Sequence, residues 1–250
     1  MKPTPPPVLL DASCLHLDSA LQLLQQAGAV LPEAEPYSAP WLQALVDALC
    51  DLSSKDPLTG LANRRSFEMA LSREADRVAR SGESALLLVM DIDYFKAVND
   101  SYGHGAGDLV IQAVAESIAH VVRPMDTVAR VGGEEFAVIL PNCAGEFGTV
   151  VAERLREHVS ELRVEVASGQ FLDITISIGG AFAPQWVRSS PLLWMERADR
   201  QLYRAKAEGR NRACMEAQID STVTAEEKGM LFAVAQEEAA GAALQQQERE

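Results

Sequence analysis

Arg130-Val131-Gly132-Gly133-Glu134-Glu135-Phe136 lies between two β-like apolar runs, Val128 to Val131 before it and Phe136-Ala137-Val138-Ile139-Leu140 after it. Two glycines between such runs predict a hairpin turn, because glycine takes positive φ without steric cost. The turn carries two adjacent carboxylates on a rigid β scaffold, a setting that suits hard divalent cations. A solvated acidic hairpin tip would have the same local sequence. The decision therefore rests on what the rest of the chain sets beside it.

Upstream, Ser84-Ala85-Leu86-Leu87-Leu88-Val89-Met90 is the continuous apolar run of a strand buried on both faces. It ends in Asp91-Ile92-Asp93-Tyr94-Phe95-Lys96. Carboxylates just past the end of a central strand sit where α/β folds place ligands. Asp91 and Asp93 are expected on opposite faces, with Asp91 the one that joins the hairpin carboxylates.

Patterning around these segments predicts helices over 64–80, 105–122, 145–160 and 190–208, strands at 84–91, 162–167 and 171–183, and the hairpin at 127–140. A hairpin among crossover helices predicts α+β, with a central mixed β-sheet flanked by helices rather than a fully parallel sheet. Before it, Leu17, Leu21 and Leu24 mark a helix ending near Gly28, and a second helix starts near Ser38 with Pro40 in its first turn. Leu42, Leu45, Leu49 and Leu52 on that helix are in heptad spacing. They suit either a dimerising stalk or a helix packed on the main domain. The organisation expected is a tail and helical, coiled-coil-like regulatory region over 1–53, a catalytic domain over 54–216, and an acidic helical tail over 217–250.

The 250 residues, 48% hydrophobic with mean hydropathy near zero, suit one globular domain with extensions. No apolar stretch approaches the ~20 residues that cross a bilayer, and Met1-Lys2-Pro3-Thr4-Pro5-Pro6-Pro7 does not open a signal peptide. Cys14, Cys50, Cys143 and Cys214 lack metal-ligand spacing and read as free thiols of a cytoplasmic protein. A net charge of −14 disfavours nucleic-acid and anionic-membrane partners. An anionic nucleotide would depend on metal ions and on Lys96, Arg130, Lys206 and Arg210.

The motifs run in a recognisable order: Asp56-Pro57-Leu58-Thr59-Gly60-Leu61-Ala62-Asn63-Arg64-Arg65, then Asp91 to Asp100, Tyr102-Gly103-His104-Gly105-Ala106-Gly107-Asp108, the Gly-Gly-Glu-Glu-Phe turn, Ser177-Ile178-Gly179, Ala198-Asp199 and Tyr203 to Asn211. Together they resemble the GGDEF family of diguanylate cyclases. Glu134 stands where the family name has Asp, a change that keeps the carboxylate and that active members share. The resemblance implies a nucleotidyl-cyclase-like fold with a ferredoxin-like core and an N-terminal helical extension. The activity implied is condensation of two GTP into cyclic di-GMP with release of two pyrophosphates.

It also implies roles for particular residues. Asp91, the Ile92 carbonyl, Glu134 and Glu135 would hold two Mg²⁺ or Mn²⁺ ions per active site, ~3.5–4 Å apart, between attacking and leaving oxygens. Glu134 would serve as metal ligand, as acceptor of the hydroxyl proton, or both. Lys96 would act on the triphosphate with the Tyr94 and Phe95 amides, joined by Arg130 and by Lys206 and Arg210, an i, i+4 pair. Asn99 and Asp108 match the guanine-binding pair. Arg123-Pro124-Met125-Asp126 has the place of the inhibitory product site, where Arg forks onto phosphate and Asp accepts from guanine. A helix end and a turn would explain the same residues. The partners implied are GTP, cyclic di-GMP and a second copy of the chain, with a regulatory protein at the N-terminal helices. The alternative is a catalytically silent receptor or scaffold that binds cyclic di-GMP or GTP.

Overall fold

The computed structural model describes residues 15–30, 34–185 and 189–217. The proline-rich opening and the helix expected from Thr224 onward lie outside these residues. In chain order the elements are α1 (Asp18–Gln26), α2 (Ala39–Ser54), α3 (Arg64–Ser81), β1 (Ala85–Ile92), α4 (Phe95–Tyr102), α5 (His104–Val121), β2 (Thr127–Arg130) and β3 (Glu135–Pro141). They continue with α6 (Gly145–Ser160), β4 (Arg163–Ala167), β5 (Gln170–Asp173), β6 (Ile176–Phe182), α7 (Pro191–Ala207) and β7 (Ala213–Met215).

Five strands form one sheet in the order β2-β3-β1-β6-β7, antiparallel except for the parallel β6–β7 pair. The expected mixed sheet is therefore present, with β4 and β5 as a separate ribbon. All eight residues of β1 are buried, as its unbroken apolar run demands. Leu86, Leu88, Met90 and Ile92 face α5 and α6, where they join Val110, Val114, Ile118 and Leu155. Ala85, Leu87 and Val89 face α3 and α7, where they join Phe67, Leu71, Trp194 and Leu202. Each fully buried Leu contributes about 1.5–3 kcal/mol, so β1 is fixed in register from both sides.

Local chemistry sets the helix ends. Ser38, Asn63 and Ser190 cap α2, α3 and α7 by accepting from Trp41, Ser66 and Leu192 backbone N–H groups. Pro191 occupies the first turn of α7, where its missing N–H costs nothing. Two elements differ from the sequence expectation by addition. Helix α4 follows β1 through a left-handed Tyr94 (φ 57°) and buries only Phe95, so it carries no apolar stripe to read. Strand β7 has three residues, too few to show a period. The strand expected over 171–183 is divided, because β5 pairs with β4 while β6 pairs with β1.

Helices α1 and α2 form as expected around a small cluster of their own, Leu24, Trp41 and Leu45. Of the heptad leucines, Leu45 is buried in this cluster, Leu42 and Leu49 pack against it, and Leu52 is exposed. Among the described residues no helix is long and apolar enough to cross a membrane.

Candidate active site

Strand register brings the first carboxylates together. Asp91, 6% exposed, is paired with Glu135 of β3 on one side and Ser177 of β6 on the other. Lys206, from the last turn of α7, places its Nζ 2.7 Å from Asp91 Oδ2. Burial pushes the Asp91 carboxyl above its ordinary range, Lys206 works against that, and Asp93 adds repulsion.

The expected divergence of Asp91 and Asp93 does not separate them: Asp93 is the first residue past β1 and stays close enough to repel the Asp91 carboxylate. Hydrogen bonding distinguishes them instead. Asp93 Oδ1 accepts from Ser177 Oγ at 2.6 Å, and Oδ2 accepts from Thr175 Oγ1 at 2.7 Å and Asn211 N–H at 3.0 Å. Asp93 thereby pins β6 and the loop after α7 to the end of β1. That loop is bent through two left-handed residues, Arg210 (φ 61°) and Asn211 (φ 45°), at a cost of order 1–3 kcal/mol each. It sets the Arg210 guanidinium 4.7 Å over the ring of Tyr94.

The hairpin turn is tied to the same place. Ile92 N–H donates to the Glu134 carbonyl at 3.2 Å. Arg130, expected at the phosphates, braces the turn: Nη1 binds Asp56 at 3.2 Å, and Nη2 donates to the Gly133 carbonyl at 2.8 Å. Burial disfavours the charge on Asp56, but Thr59 and Arg130 outweigh it and hold its carboxyl below the ordinary value. Neither Gly132 nor Gly133 adopts positive φ, contrary to the hairpin expectation. Gly132 is needed for space: a Cβ there would stand 2.2 Å from Glu135 Oε2, whose carboxylate folds back over the turn. Glu134 is pushed upward by burial and then by Asp91.

Asp91, Glu134 and Glu135 thus share one end of the sheet. Among the described residues, however, no three acidic, His or Cys side chains converge closely enough to hold a metal ion. The donor set still fits a hard divalent ion, since the repulsion between Asp91 and Glu134 that Lys206 now relieves is what such an ion would relieve.

Helix α4 starts immediately past β1 and leaves its first N–H groups beside the acidic end. Lys96 on its first turn is exposed and has no ion pair among the described residues. Asn99 Oδ1 lies against the bare Cα of Gly107, 2.1 Å from where a Cβ would be, so α4 packs Asn99 on α5 at the residue before Asp108. Arg123 and Asp126 sit in the α5–β2 turn, where Asp126 Oδ2 accepts from the Arg123 backbone N–H at 2.7 Å. The Arg123 guanidinium stacks 4.6 Å over Phe147 of α6, and Arg154 lines the same recess. Sequence reading missed Phe147 and Arg154, which look like ordinary positions on an amphipathic helix. It also missed the task of Asp93, although hydroxyls at 175 and 177, alternating with isoleucines at the start of β6, were a usable signal.

A five-stranded mixed sheet, with carboxylates at the end of its central strand and cations arriving from α4 and α7, defines a cyclase-type α+β domain. Residues 53–212 match the family described as diguanylate cyclase, GGDEF domain, and the chain belongs to that family. The response regulator PleD of Caulobacter vibrioides is 41% identical over 172 residues, which are 68% of this chain and 38% of that protein. The coiled coil and GGDEF domain of DgcB from Caulobacter crescentus, in complex with c-di-GMP, aligns with a TM-score of 0.66 at 32% identity. That alignment covers 80% of this chain and all (100%) of the DgcB chain. Diguanylate cyclase SiaD from Pseudomonas aeruginosa, in complex with its activator SiaC, aligns with a TM-score of 0.65 at 33% identity. There the coverage is 79% of this chain and 74% of the SiaD chain. The chain spans less than half the length of the curated relatives it matches.

Proposed function

We propose that this chain is a cytoplasmic diguanylate cyclase that joins two GTP molecules into cyclic di-GMP. The observation that carries the reading is the assembly of Asp91, Glu134, Lys206 and Arg210 around the end of β1, with Asn99 and Asp108 together across α4 and α5. Asn99 and Asp108 select guanine through its N–H and amino edges. Lys96 and the first amides of α4 bind the triphosphate. Lys206 moves from Asp91 to a phosphate oxygen, and Arg210 moves off the Tyr94 ring to do the same. Asp91, the Ile92 carbonyl, Glu134 and Glu135 would hold Mg²⁺ or Mn²⁺, which would supply charge neutralisation at the α-phosphate and activation of the ribose 3′-hydroxyl. Two copies of the chain face each other, because each hydroxyl must attack the other nucleotide.

Arg123 and Asp126, beside Phe147 and Arg154, form the site for inhibition by product. The cyclic di-GMP bound to DgcB supports binding of the product, and the activator bound to SiaD supports control by a partner protein, which we assign to α1 and α2.

The test is incubation of purified protein, enzymatically stripped of bound nucleotide, with GTP and Mg²⁺, and identification of the product by mass. Wild type is expected to form cyclic di-GMP, with Asp91→Ala and Glu134→Ala at least about 100-fold slower. No product from a stripped, dimeric wild type would overturn stand-alone activity and leave a partner-activated cyclase or the silent receptor.

A further inference from the structure

Beneath the carboxylate turn, on the face of the sheet that carries α3 and α7, lies a cavity of about 420 Å³. Phe67, Leu71, Val89, Met195 and Leu202 form its apolar walls. A dry void of about 150 Å³ accommodates benzene, and ligand pockets usually begin near 300 Å³. This one therefore has room for a bicyclic body. Asn99, Asp108, Lys96 and Arg210 do not line it, so it is separate from the proposed nucleotide site.

Its polar rim has an uneven charge. Arg64 is paired with Glu68 at 3.1 Å, which leaves that pair neutral. Glu135 and Asp199 also stand at the rim, and among the described residues neither is paired with a cationic side chain. The rim thus repels phosphates and carboxylates and attracts a cation. Apolar walls beneath a doubly negative mouth suit a molecule with an apolar body and one ammonium group.

The cavity touches both moving parts of the proposed chemistry. Val131 and Glu135 flank the carboxylate turn, and Glu135 Oε2 lies folded over Gly132. Asp199 and Leu202 lie on α7, the helix that delivers Lys206. We propose that the cavity is an effector site for a small apolar organic cation, which draws the Glu135 carboxylate toward the cavity mouth and slows turnover. The binding stands independently of the cyclase reading, whereas the effect on turnover rests on it.

Tryptamine, an indole carrying one ammonium group, is a suitable probe, and indole-3-propionate supplies the same body with the opposite charge. Calorimetric titration of the full chain without nucleotide is expected to give saturable tryptamine binding, with indole-3-propionate at least about tenfold weaker. Met195→Trp fills the cavity, and Asp199→Asn removes half of the rim charge. Each should weaken tryptamine about tenfold while the circular dichroism spectrum is unchanged. If Met195→Trp does not fold, Leu71→Phe closes the same space from α3. Absence of saturable binding, equal binding of the acid, or undiminished binding to both Asp199→Asn and the filled variant would overturn the site. Binding that leaves the turnover of an active wild type unchanged would overturn the coupling. A wild type that binds tryptamine but makes no cyclic di-GMP would overturn the cyclase reading and the coupling, not the site.

Discussion

Asp93 takes three hydrogen bonds from two segments, the start of β6 and the loop after α7, and its amide could not accept all three. Asparagine has one carbonyl oxygen, and its NH₂ would either face the Asn211 N–H donor or donate to a hydroxyl oxygen, leaving that hydroxyl's proton without the acceptor it has now. Asp93→Asn should cost about 1–3 kcal/mol in denaturant unfolding and raise KM for GTP more than it lowers kcat, because the Arg210 loop loses its anchor. An unchanged KM would leave Asp93 a purely structural residue. Asp56 has a signature in pH. Its carboxyl titrates below the unfolded value of 3.8, so the folded state binds fewer protons near that pH. Its contribution is complete above pH 3.8 and is lost as pH falls through the folded value. Asp56→Asn should therefore cost about 2 kcal/mol at neutral pH, with the gap to wild type closing as the solution is acidified below about pH 4. Lys206, expected at the triphosphate, is paired with Asp91. The placement of Asp91 and Glu134 at the end of β1 was legible through motif order. The work of Asp93 was not, since its partners lie 82 to 118 positions away. Arg130 looked like a phosphate ligand for the same reason: Asp56 is 74 residues distant.

Among the elements, those read correctly are long and strongly patterned, such as β1 with both faces buried and α5 with its apolar stripe. Those missed, α4 and β7, are short and defined by neighbours. Helix α4 starts where Tyr94 turns left-handed, and β7 exists because β6 offers an edge. Helices α1 and α2 occupy a middle position. Their existence was plain from leucine spacing, but the heptad that suggested a stalk is largely used in their own cluster, through Leu42, Leu45 and Leu49. Their cluster of three buried residues is small, so this pair should open at lower free energy than the sheet. Trp41→Ala is expected to abolish exchange protection in residues 18–26 and 39–50 while the main unfolding transition of the sheet moves little. A single cooperative loss of both would show that the helices and the sheet are one folding unit.

At the scale of the whole molecule, a net charge of −14 opposes the meeting of two copies. Repulsion between like-charged proteins falls as the Debye length shrinks from about 14 Å at 0.05 M salt to near 6 Å at 0.3 M. Cyclase activity per chain should therefore rise with protein concentration, and at fixed low concentration it should rise with moderate salt. Sedimentation should show dimer growing in parallel. Activity independent of concentration, down to nanomolar chain, would contradict a working pair formed in solution. The mixed sheet was legible because a hairpin and crossover helices alternate along the chain. The cavity between α3 and α7 was not, since it is made by helix packing that no local pattern encodes.

The Lys206 ammonium is paired with the carboxylate that the proposed function assigns to a metal ion. On that proposal loading would be an exchange, with Asp91 released to the ion as Lys206 is released to the nucleotide. Metal and GTP should consequently recruit each other, each binding weakly alone. Lys206→Met would break that reciprocity, holding Mn²⁺ more tightly than wild type when no nucleotide is present and gaining less from GTP when it is.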